Sequence, residues 1–292
     1  MGSLINTNML LMPPAGIPEQ TLIDWSAQGA VKTAKASHER VREVIDAINF
    51  QYRKPLVYLQ GSYGNTTNIR ASSDVDVVVE WWVPQEYACS GQDEVNLFLW
   101  YKKVIVDALA QSFSGVKSDK KCIRVPRTTN TVPADVVPAF FIRPWNDFVF
   151  LQPNIKPSNA MKFYVAEERR WVTNYPKSHD WNGTDKNKRT NGYYKPMVRI
   201  FKNALKHAGY SCFPGYFTEC LLFNVPDHLF WGMGYRKKYQ DIVSWLYQAN
   251  KSLFSCQNGQ VYLFGNTPEQ WNISEAEQAI LCWSAIWNEY RS

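Results

Sequence analysis

No run of 18 apolar residues occurs in the 292-residue sequence, which excludes a membrane-spanning helix. The six cysteines (Cys89, Cys122, Cys212, Cys220, Cys256, Cys282) form no C-x-x-C pair and share no zinc-ligand spacing with a histidine. Reduced, mostly buried thiols in a cytoplasmic protein are therefore expected. The start, Met1-Gly2-Ser3-Leu4-Ile5-Asn6, has no basic segment ahead of its short apolar stretch, so no secretory signal is expected. Asn6 stands where a myristoylation motif wants Ser or Thr. Internal repeats and low-complexity tracts are also missing.

What is present is an aromatic-rich, mildly basic chain. Aromatics make up 15% of residues, so much of the packing must involve rings. The net charge of +6 suits a protein that handles phosphates, but it is too small to specify a long nucleic acid.

Pro13, Pro14, Gly16 and Pro18 mark an irregular arm over residues 1–20. From Thr21 to Arg53 only Gly29 interrupts an apolar period of three, four or seven. The period predicts one helix of about 50 Å, at 1.5 Å per residue, or two helices with a break near Gly29. Strands are expected at 56–59, 75–82, 122–125, 132–140 and 148–151. A helix is expected over 92–113, with Val95, Leu99, Val106 and Leu109 as its apolar stripe. Further helices are expected at 160–172, 195–208, 216–224, 236–250 and 274–290, with a polar loop at 177–191. The fold class is α+β. A long N-terminal spine helix and a mixed twisted sheet span residues 21–155, and a helical lobe spans 156–292.

The chemistry concentrates in one segment. Gly61-Ser62 follows a strand; glycine lets a phosphate approach the backbone, and serine donates from N–H and hydroxyl. Asp74 and Asp76 sit at i and i+2, on one side of a strand and about 7 Å apart along it. Two carboxylates beside Val77-Val-Val79 repel each other and lose solvation unless a divalent cation neutralises them. Asp135, in Val132-Pro-Ala-Asp-Val-Val-Pro138, is a third acid in an apolar strand. It is either a satisfied buried carboxylate or the completion of a site holding two Mg²⁺ or Mn²⁺ ions. One ion would activate an attacking hydroxyl and the other would stabilise leaving pyrophosphate.

Gly61-Ser62, eleven residues, then Asp74-Val-Asp76, with Asp135 beyond, resembles the signature of polymerase-beta-like nucleotidyltransferases. The run Leu59-Gln60-Gly61-Ser62-Tyr63-Gly64 through Arg70, leading to Ser73-Asp74-Val75-Asp76, is similar to the cyclic GMP-AMP synthase/DncV-like branch. Tyr175 to His179, Tyr194 to Lys202 and Tyr216 to Leu222 agree with it. The resemblance implies synthesis of a cyclic di- or trinucleotide from nucleoside triphosphates, in bacterial anti-phage defence. It also implies an effector protein switched on by the product, and leaves room for a regulatory partner protein. Residues implied to contact nucleotide are Gln60, Gly61, Ser62, Arg199, Lys202 and Tyr216. In this reading Lys202 meets the triphosphate and Tyr216 stacks on a base. Asn174, or Asn191, offers an amide that could read a base edge. Phe213-Pro-Gly215 lacks the serine that the family often places before the aromatic. No compact His-Cys-Cys insertion is present, so long DNA is not expected as an activator. Transfer to a protein, small-molecule or RNA acceptor would use the same acids. An inactive nucleotide-binding scaffold is disfavoured because all three are present.

Overall fold

The computed structural model describes residues 16–50, 53–70, 74–83, 89–142 and 160–290. The strand expected at 148–151 lies outside them. The chain divides into two compact units, one of residues 29–150 and 154–181, the other of residues 1–28, 151–153 and 182–292.

The first unit is built on a seven-stranded mixed sheet. Its strands are β1 (Leu56–Leu59), β2 (Val75–Trp81), β3 (Lys117–Ser118), β4 (Ile123–Val125), β5 (Ala134–Ile142), β6 (Ala160–Val165) and β7 (Arg170–Asn174). The order is β1-β2-β5-β4-β3, with β6 added to the far end of β5 and β7 to β6. Only β2 and β5 run parallel. Val75, Val77, Val78 and Val79 are fully buried, so central strand β2 is covered on both faces. Helix α2 (Lys32–Asp46) contributes Ala34, Val41 and Ile45 to this core. Helix α4 (Gly91–Ser112) contributes Phe98, Tyr101, Ile105 and Leu109. Its buried stripe is offset from the expected one, and Leu99 is exposed, because aromatic Phe98 and Tyr101 take the inner positions. Tyr101 stacks on Trp81 at 5.2 Å and donates to the Val79 carbonyl at 2.9 Å.

The second unit is helical: α1 (Glu19–Ser26), α6 (Tyr194–His207), α7 (Gly215–Phe223), α8 (Tyr235–Gln248) and α9 (Ile273–Glu289). Trp283 and Trp287 of α9 are fully buried. Trp283 Nε1 donates to the Phe201 carbonyl, and Tyr239 OH to the Trp283 carbonyl. Helix α5 (Pro176–Arg189) contains the division between the units. Among the described residues no helix is long and apolar enough to cross a membrane.

The spine takes the second of its two expected forms, two helices, α1 and α2, and these are assigned to different units. The Gly29 N–H is spent on the Asn68 carbonyl at 3.0 Å, and a Cβ there would stand 2.5 Å from the Ile69 oxygen. That close backbone approach breaks the helix. Residues 160–172, expected helical, form a hairpin, because the free edge of β5 pairs with β6 and Arg169 turns the chain at φ 49°. Conversely, the polar segment 177–191 is mostly helix. Its buried stripe Ser178, Asn182, Lys186 and Thr190 is itself polar, so apolar periodicity could not reveal it. The boundary expected at residue 155 accordingly moves to 181/182, since the hairpin belongs to the sheet.

Helix α1 is tied to its unit through Glu19, whose carboxylate accepts the Tyr235 and Arg236 N–H groups at the start of α8. Glu19→Ala should cost about 1–2 kcal/mol by leaving those donors and the helix dipole uncapped. The check is a lower urea midpoint with an unchanged slope.

Candidate active site

Parallel pairing of β2 and β5 sets Asp76 directly opposite Asp135. Neighbouring strands lie about 4.8 Å apart, so the two carboxylates share one face at close range. Asp74 stands just before β2 and is exposed. Burial, then the Asp135 and Asp74 charges, push the Asp76 carboxyl up to about 7. Asp135 is also raised, chiefly by burial and further by Asp74, while a hydrogen bond from the Cys122 thiol and the charge of Arg124 pull it back.

An acid held near neutrality by burial and a second acid calls for positive charge. A hard divalent cation suits two such carboxylates, with substrate phosphates and water completing its shell. Among the described residues, no three His, Cys, Asp or Glu side chains form a closed metal-binding group. An open pair is what a shared, substrate-completed cation needs, and Asp76 and Asp135 fit it.

The loop after β1 is pressed against this pair. Gln60 N–H donates to the Asp76 carbonyl at 2.9 Å. Gly61 then opens a single helical turn, α3 (Gly61–Gly64), at φ 63°. A Cβ on Gly61 would lie 2.1 Å from Asp76 Oδ2. Glycine is thus required twice, for its left-handed backbone and for the space the carboxylate occupies. Ser62 is half-buried, and its carbonyl accepts Thr67 N–H at 2.9 Å, closing the loop.

A second group of expected residues gathers in the helical unit. Lys202 of α6 is buried and ion-paired with Glu219 of α7. A Cβ on Gly215 would stand 3.1 Å from Lys202 Nζ, so the glycine lies directly against the ammonium. Tyr216 follows; its ring stacks on Trp271 at 5.7 Å and 30°, and its hydroxyl accepts from Asn258 at 3.4 Å. Arg199 Nε donates to the Ser26 carbonyl at the end of α1, and Lys206 is exposed. Arg199, Lys202 and Lys206, which lie along one side of α6 by their spacing, therefore meet different surroundings.

Asn174 ends β7 on the rung of Met161 and Phe141. That rung lies six residues beyond Asp135, about 20 Å along β5. Asn191 closes α5 in a left-handed conformation, φ 52°, which is a chain-turning role.

Sequence reasoning missed three partners. Glu219 lay inside the segment Tyr216 to Leu222 but was given no role. Cys122, read only as a stray thiol, donates to Asp135. Glu80 was visible as an acid inside the valine run. Its carboxylate is held by Tyr58 OH at 2.8 Å and Lys177 Nζ at 2.7 Å, which gives Lys177 a role in neutralising a buried acid.

Gly61→Ala should displace the Asp76 carboxylate and strain the turn. We expect a loss of about 2–4 kcal/mol in stability, read by thermal melting, because a backbone preference and a clash add.

A family model, the cGAS/DncV-like nucleotidyltransferase C-terminal helical domain, matches residues 181–288. The chain is 38% identical to a cyclic UMP-AMP synthase from Rhodothermus marinus, over 93% of this chain and 98% of the relative. It is 34% identical to the cyclic nucleotide synthase CdnE01 of Staphylococcus haemolyticus, over 94% and 99%. The solved structure of the Rhodothermus enzyme with Apcpp and Upnpp superposes with a TM-score of 0.81, covering 94% of this chain and 98% of that one. The CdnE cyclic dinucleotide synthase of Elizabethkingia meningoseptica, 28% identical, gives 0.75 over 94% and 100%. Enzymes of this group generally use divalent metal ions. The chain belongs to the cGAS/DncV-like nucleotidyltransferases.

Proposed function

We propose that this enzyme condenses nucleoside triphosphates into a cyclic di- or trinucleotide second messenger, releasing pyrophosphate at each bond, in bacterial anti-phage defence. The observation that carries the reading is the in-register pair Asp76–Asp135, with the Gly61 backbone against it. The Rhodothermus relative is named for cyclic UMP-AMP, which makes that product the first to test.

Asp76 and Asp135, with Asp74, would hold Mg²⁺ or Mn²⁺, two ions in the full arrangement. When bound, the cation supplies a lowered hydroxyl pKa and charge for the leaving pyrophosphate. The chain's own residues do the positioning. Gly61 and Ser62 receive the donor phosphates. Tyr216, backed by Trp271, offers a ring for a base, worth about 1–3 kcal/mol when stacked. Lys202 is already ion-paired with Glu219, so a triphosphate at its ammonium shares or competes for a charge that has an internal partner. The product would act on a separate effector protein.

The test combines labelled ATP, GTP, CTP and UTP with Mg²⁺ or Mn²⁺, followed by phosphatase. A phosphatase-resistant product identified by mass spectrometry supports the reading. Label appearing only on a protein or RNA acceptor replaces it with acceptor modification. No consumption under any condition favours the scaffold.

Asp76→Asn should abolish synthesis, by roughly 10³-fold or more. It should also raise metal-free stability at pH 8. The sign follows from the raised carboxyl. The native state holds a proton up to about pH 7, whereas the unfolded state releases it near 4. Stability therefore falls as pH climbs between those values. Asparagine removes that cost, on the order of 1–2 kcal/mol after solvent screening. Thermal melts with and without Mg²⁺ at pH 6 and pH 8 check it. Mg²⁺ should stabilise the wild type more at pH 8, and the variant little at either.

A further inference from the structure

The rung that carries the two acids continues past them. Asp76 on β2 faces Asp135 on β5, Asp135 faces Arg124 on β4, and Arg124 faces Lys117 on β3. Paired residues on neighbouring strands point to the same side. One line across four strands therefore reads acid, acid, cation, cation. With strands about 4.8 Å apart, the Arg124 backbone is one spacing from Asp135 and that of Lys117 is two, about 10 Å. Ile123 and Val136 pair on the opposite side and are fully buried, which fixes the direction of Arg124.

Both cations are exposed. Arg124 is braced by Asp119 at 2.7 Å, and Asp119 also accepts Lys120 N–H at 2.7 Å. A guanidinium has five N–H donors, so this brace and a hydrogen bond with Cys122 leave donors over. Lys117 makes no ion pair among the described residues. Two like charges directly opposite on paired strands repel, a cost that an anion bridging them would remove.

The sheet order gives the location meaning. The Gly61–Ser62 loop, assigned above to the donor phosphates, follows β1 on one side of the acids. The two cations lie on β4 and β3, on the other side. In-line phosphoryl transfer places the attacking and leaving oxygens on opposite sides of the phosphorus. A nucleotide attacking from the β5 side, with its ribose hydroxyl at Asp135, would carry its own 5′-phosphates outward along the rung.

We propose that Arg124 and Lys117 bind the 5′-phosphates of the acceptor nucleotide, the one whose hydroxyl attacks. The assignment rests on the nucleotidyltransferase reading of the acid pair and adds the position and charge requirement of the second substrate.

The test measures linear dinucleotide formation from one α-labelled donor triphosphate with three acceptors: adenosine triphosphate, adenosine monophosphate and adenosine. Wild type should favour the triphosphate over adenosine in kcat/KM by about tenfold for each cation. In Lys117→Ala/Arg124→Gln the three acceptors should converge to within about twofold. The donor KM and the Mg²⁺ midpoint should stay unchanged, and Arg124→Lys should restore part of the preference. Both side chains are exposed, and circular dichroism melts verify that the variants fold. A loss shared equally by all three acceptors, or appearing as a shifted Mg²⁺ midpoint, means the cations only balance the acids and overturns the proposal. A wild type that forms no dinucleotide with any acceptor overturns the function reading itself, and the proposal with it.

Discussion

Everything at the candidate site depends on two aspartates being forced to share a rung of an apolar sheet. Asp76 and Asp135 cannot separate, because β2 and β5 are locked in parallel register over seven residue pairs from Val75↔Ala134 to Trp81↔Phe140. Those strands are in turn held by a core of valines and rings that tolerates little displacement. The repulsion is thus maintained by packing elsewhere, which is how a sheet can keep a charge deficit ready for a cation. Gly61 belongs to the same constraint, since only a residue without a side chain lets the loop lie against the carboxylate.

The acids were legible in the sequence because charge inside a valine run is a local anomaly. The same holds for Gly61, which followed a strand and preceded the acids at a recognisable spacing. The register between Asp76 and Asp135 was less legible, as nearly sixty residues separate them and only strand pairing joins them. Arg124 and Lys117 carried no local signal at all; they matter only through the rung on which folding places them. Periodicity failed in two instructive places. It read the β6–β7 hairpin as helix, because edge pairing to β5 outweighed the local pattern. It read α5 as loop, because the buried face of that helix is polar, with Lys186 Nζ bonded to the Val225 carbonyl and to Asp227.

Within the helical unit, Lys202 and Tyr216 are joined through Gly215 and Glu219, so the Lys202 charge is satisfied before any ligand arrives. The neighbouring Arg199 donates its Nε to the end of α1. Evenly spaced cations on one helix therefore answer to different partners, and spacing alone cannot say which one serves a ligand. Burial separates them here: Lys202 is enclosed with an acid, while Lys206 faces solvent.

The assignment of α1 has a consequence for the order in which the protein is made. Its partners, from Arg199 to Tyr290, leave the ribosome long after it; Thr21 Oγ1 and Tyr290 OH lie 3.3 Å apart across 269 positions of sequence. Residues 29–150 and 154–181 form a unit whose partners have all emerged before residues 182–290 do. The helical unit must wait for residues as late as Tyr290, with Leu22 and Trp25 exposed meanwhile. Its closure spans 269 positions, although the entropic cost of a loop grows only with the logarithm of its length. The nascent chain therefore completes the surface bearing the acids before it buries α1.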